Sequence, residues 1–67
     1  MSVVAPFHIA RPASQAYHRM LGKHGTPDDV ATYRAWITWL RLHGGNEEAL
    51  AYAVRTADRF AKQMGIP

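Results

Sequence analysis

The sequence predicts a small all-α protein, a three-helix bundle preceded by an extended N-terminal arm. Gly and Pro gather at 22–27, 44–45 and 65–67, which cuts the chain into three segments of helical length. Two of the segments open with a helix-start signature, and all three carry apolar residues at helical spacing. With 67 residues there is room for one core, so a single domain is expected.

Residues 1–11 read as the arm. Pro6 and the pre-proline position of Arg11 both disfavour helix, and in an extended chain Phe7 and Ile9 point the same way. The arm is expected to pack across the bundle or reach a neighbouring subunit, with disorder of its first residues as the alternative. Helix one follows over about residues 13–24, with Leu21 as its alternative end. Pro12 suits its entry, Ala13, Ala16, Tyr17, Met20 and Leu21 share a face, and Gly22 or Gly25 is its stop.

Helix two is expected over about 27–43. Thr26 is a good N-cap, Pro27 suits the first helical position, and Asp28 and Asp29 complement the helix dipole. Val30, Tyr33, Trp36, Ile37 and Leu40 form one face, while Ala35, Trp39 and Leu42 carry apolar surface round the other side. Only Arg34, Thr38 and Arg41 make a polar strip. A helix apolar on most sides is usually central, and three elements leave one of its sectors to be covered by the arm or by another chain.

Helix three is expected over about 47–64, with Asn46 as cap, Glu47 and Glu48 at the positive end of the dipole and Lys62 near the negative end. Gly65 is the left-handed stop, and Ile66 falls where a Schellman motif makes its apolar contact. Leu50, Ala53, Val54, Ala57, Phe60, Ala61 and Met64 form the buried stripe.

Composition narrows the function. The absence of cysteine removes disulfides and thiolate metal sites and favours a reducing compartment, so a cytoplasmic location is expected. The first residues lack a basic run before an apolar one, and no stretch nears the ~20 apolar residues that span a bilayer, so neither export nor membrane insertion is expected. Eight Lys and Arg against five Asp and Glu give a net charge of +3, with no acid before residue 28. The acid pairs Asp28-Asp29 and Glu47-Glu48 read as helix-start signals, because consecutive helical residues diverge by about 100° and cannot converge on a substrate. No nucleophile stands with a base. His8, His18, His24 and His43 have no metal-ligand spacing, and Gly22-Lys23-His24-Gly25-Thr26 falls short of a phosphate loop. No enzyme activity, cofactor or metal is expected.

Binding remains. Short basic three-helix chains are often DNA-binding, but the first turns of helices two and three carry paired acids that repel phosphate. A nucleic-acid module using Arg19, Lys23, Arg55, Arg59 and Lys62 is therefore the alternative reading. The preferred one is a protein-binding module, a regulatory or inhibitory adaptor of the kind phages and mobile elements carry, with a homodimer as one way to cover the surplus apolar surface. Trp39 and Leu42 on helix two, with Tyr52, Arg55 and Arg59 on helix three, are the expected partner-binding residues, because aromatic side chains and arginines anchor interfaces. Trp36, nearer the main apolar face, is expected to pack internally.

Overall fold

The computed structural model describes residues 5–66, which form α1 (Phe7–Leu21), α2 (Pro27–Leu42) and α3 (Glu47–Gln63). Among the described residues there is no strand, and the architecture is a small all-α three-helix bundle. Helix α2 is central and packs on both others, which meet each other far less. Its two connections are short, so the chain runs up, down and up, with α1 and α3 parallel on adjoining flanks of α2.

The start of α1 differs from the expected arm. Residues 1–4 lie outside the described residues, and from Phe7 onward the segment is helical. The carbonyl of Pro6 accepts from the amides of Ile9 and Ala10 at 2.9 and 2.8 Å, which begins the helix six residues earlier than expected. Pro12 then lies inside it. Its missing N–H leaves only the His8 carbonyl without an in-helix partner, and extending the helix half-buries Ile9 and Ala10.

Helix α2 begins with a reciprocal capping box. The Asp29 amide donates to Thr26 Oγ1 at 3.4 Å, and the Thr26 amide donates to Asp29 Oδ2 at 2.9 Å. Helix α3 is capped by Asn46 Oδ1, which accepts from the Ala49 amide at 3.0 Å.

All three helices end on a left-handed residue with a bond reaching back five residues. Lys23, Gly44 and Gly65 have φ of 62°, 80° and 71°. The amides of His24, Gly45 and Ile66 donate to the carbonyls of Arg19, Leu40 and Ala61 at 2.9, 2.7 and 2.8 Å. Helix α1 therefore ends at Leu21, the earlier of the two expected ends, and its left-handed position falls on Lys23, between the two candidate glycines.

The core joins Ala13, Ala16 and Met20 to Val30, Tyr33 and Ile37 and to Leu50, Ala53, Ala57, Phe60 and Ala61. The alanines let helix backbones approach closely, so Met20, Tyr33, Ile37, Leu50 and Phe60 supply most of the buried volume. Tyr17, Trp36, Leu40, Val54, Met64 and Ile66 are partly buried against this cluster. Thr56 was not expected inside; its hydroxyl is satisfied by donating to the Tyr52 carbonyl at 2.9 Å. Leu21, expected on the core face of helix one, is 54% exposed. It lies five residues past the fully buried Ala16, about 140° round the helix from it.

Candidate functional site

Between the parallel helices α1 and α3, over the flank of α2, lies a groove of about 400 Å³ lined by Ala10, Ala13, Ser14, Tyr17, Tyr33, Trp36 and Tyr52. Three levels define the space between α1 and α3. Ala10 and Tyr52 stand at one end. Tyr17 meets Phe60 edge-on in the middle, with centroids 6.2 Å apart. At the far end Gly25 is wedged against both Met20 and Met64.

Residue size explains why the groove is open. The α1 wall at the first level is Ala10, Ala13 and Ser14, whose side chains cannot bridge two helices that both lean on α2. The floor is aromatic: Tyr17 stacks on Tyr33 at 5.8 Å and 21°, and Tyr33 lies 5.4 Å from Trp36 with the rings tilted by 46°. Burial, then the neighbouring phenols of Tyr17 and Tyr52, push the Tyr33 hydroxyl above its ordinary pKa, so it stays neutral at physiological pH. The lining contains no carboxylate, imidazole or amine.

Of the expected partner-binding residues, only Tyr52 lines this groove; it is 58% exposed. Arg55 and Arg59 follow it at three and seven residues on the same side of α3, both exposed. Trp39 and Leu42 are elsewhere, toward the C-terminal end of α2. Trp39 is half-buried and stacks on His43 at 4.0 Å, and His43 Nδ1 lies 2.8 Å from the Trp39 carbonyl oxygen. Leu42 is 76% exposed. The expected set thus divides between two surfaces.

Among the basic residues, Arg19 is engaged. Its Nε and Nη2 donate to Asp29, the shortest contact being 2.6 Å from Nη2 to Oδ1. Lys23 and Lys62 are exposed near the end of the bundle where Gly25 touches Met64. On the other flank of α2, Arg34 pairs with Asp58 at 3.1 Å beside a smaller depression of about 220 Å³ that includes Arg41 and Val54. No group of three His, Cys, Asp or Glu among the described residues is placed to hold a metal ion.

Ala10, Ser14, Tyr17, Tyr33 and Trp36 were not expected at a site. Trp36, expected inside, is half-buried and forms part of the groove floor. The available signal was the spacing of Ala10, Ser14 and Tyr17 at i, i+4 and i+7, a row of two small residues leading to an aromatic one.

No protein-family model matches the chain, and neither the curated proteins nor the solved structures contain a match to it. Among the described residues no helix is long and apolar enough to cross a membrane.

Proposed function

We propose that this protein is a non-catalytic protein-binding module, a small regulatory or inhibitory adaptor that takes apolar side chains of a partner into the α1–α3 groove. The observation that carries the reading is an aromatic floor left open by the small residues of its wall. Open aromatic surface of this kind is where binding energy concentrates in protein interfaces. A catalytic reading has no support in the lining, where Ser14 has no base beside it.

The alternative, a nucleic-acid module, draws on the exposed Arg55, Arg59 and Lys62 of α3. It is weakened by the Arg19–Asp29 pair and by Glu48, which stands one turn before Tyr52 on the same side as Arg55 and Arg59. Affinity purification of the tagged protein from its native cell, with and without nuclease, separates the two. A nuclease-resistant partner is expected, retained by the wild type, reduced by Tyr52→Ala and lost with Ser14→Arg, which fills the groove from an exposed position. Loss of every partner after nuclease treatment supports the alternative instead.

A further inference from the structure

We infer that the occupant of the groove is an amphipathic helix of another protein, its apolar side chains on the aromatic floor and its carboxylates along Arg55, Arg59 and Lys62. The inference rests on the protein-binding reading above and gives the partner a chemistry. The shape of the site favours a helix. Ala10 to Tyr17 spans about 10 Å along α1, the reach of an i, i+4, i+7 row of anchors, and a rod laid between two parallel helices follows their direction. The apolar surface also continues beyond the lining. Phe7 and Leu21, 73% and 54% exposed, flank Ala10, Ser14 and Tyr17 at helical spacing on the same side of α1. The Arg11 guanidinium sits over the Phe7 ring at 5.4 Å and leaves most of that ring open.

Charge complementarity selects the partner. Arg55, Arg59 and Lys62 recur at i, i+4 and i+7 along the exposed side of α3 that borders Tyr52, and all three are exposed. Lys23 adds a further cation at the same end of the bundle, because its loop is held there by the contact of Gly25 with Met64. Of the acids near that row, Glu48 lies toward the opposite end of α3, and Asp58, four residues before Lys62, is paired with Arg34 at 3.1 Å on the other flank of the helix. The potential beside the groove is thus positive over its Phe60 half, and the acidic part of the occupant belongs there. A second copy fits less well. Face-to-face pairing would set Arg55, Arg59 and Lys62 of each molecule against Glu48 and an Asp58 already paired with Arg34 in the other, in a chain carrying a net charge of +3.

The test is selection of binders from a displayed library of helices about five turns long, with a fixed apolar row and randomised flanks, against the full-length protein. Selected helices are expected to carry a several-fold excess of Asp and Glu over Lys and Arg. They should shift Trp36 fluorescence and lose binding to Ser14→Arg. Affinity should fall about tenfold or more with Arg59→Glu at unchanged melting temperature, and should weaken with salt. Groove binders with no acidic excess, or indifferent to both Arg55→Glu and Arg59→Glu, overturn the inference while leaving the groove a binding site. Failure to select any helix sensitive to Ser14→Arg overturns both. A dimer in sedimentation that Ser14→Arg dissociates also overturns the inference, in favour of a second copy.

Discussion

Lys23 and Gly25 stand two residues apart and respond to opposite rules. Lys23 occupies the left-handed region at φ 62°, where its Cβ crowds the following carbonyl and a glycine would not. Lys23→Gly is therefore expected to raise stability by about 0.5 to 1 kcal/mol, read as a higher urea midpoint at unchanged slope. Gly25 has no such backbone demand; what it lacks is space. A Cβ there would stand 2.6 Å from Met20 Cγ, 2.8 Å from Met64 Cε and 3.0 Å from Met20 Cα. The Met tips can move, but the Met20 Cα cannot, so Gly25→Ala is expected to lower stability by about 1 to 3 kcal/mol in the same titration. Both glycines of the segment looked like helix stops in the sequence. Spacing along the chain cannot tell a glycine needed for its φ from one needed for a neighbour's approach, because the approach is set by how the loop folds back on Met20 and by Met64 from the other end of the chain.

Asp29 shows how one residue serves two elements. Within α2 it closes the capping box with Thr26; toward α1 it receives the Arg19 guanidinium, and it is only 5% exposed. The sequence reading of Asp29 as a favourable charge at a helix start captured the first role, which is local. The second needs α1 to lie antiparallel across α2, which local spacing does not encode. Hydrogen bonding from Arg19 foremost, assisted by the Thr26 amide, holds the Asp29 carboxyl below its ordinary pKa, against the opposing effect of burial. A carboxyl depressed in the folded state stabilises fully above its unfolded pKa, near 4, and loses that contribution as pH falls through the lower folded value. Stability should therefore drop with acidification below about pH 4. Asp29→Asn should cost about 1 to 3 kcal/mol at neutral pH and flatten that acid limb in denaturation curves taken at a series of pH values. An unchanged limb would place the acid sensitivity on another carboxylate. The early start of α1 has the same origin as the Arg19 contact. Pro6 and Pro12 argue locally against helix, and packing outweighs them: Ala13 is buried in the core, and Ile9 and Ala10 are half-buried.

At the level of the whole molecule, core and groove are two outcomes of the same packing. Where α1 and α3 carry Tyr17 and Phe60 at one level the space closes, and Phe60→Ala is expected to cost about 3 to 5 kcal/mol, enough to leave so small a domain unfolded or molten by circular dichroism. Where they carry Ala10, Ser14 and Tyr52 it stays open. Caps, stops and apolar stripes were legible because each is written within one helix. The groove was not, because it depends on the distance between two helices that are far apart in sequence and meet mainly through α2. If the opening is unfilled packing space, filling it from within should stabilise the fold at the expense of binding. Ser14→Leu adds apolar volume at an exposed helical position and improves helix propensity. It is expected to stabilise the protein by about 0.5 to 1 kcal/mol, to raise the melting temperature by a few degrees, and to abolish capture of the selected helices. Such a trade separates a site kept open for a partner from a surface that is merely irregular. On an irregular surface the added leucine would stay in solvent, giving at most the small gain from helix propensity and leaving helix binding close to wild type.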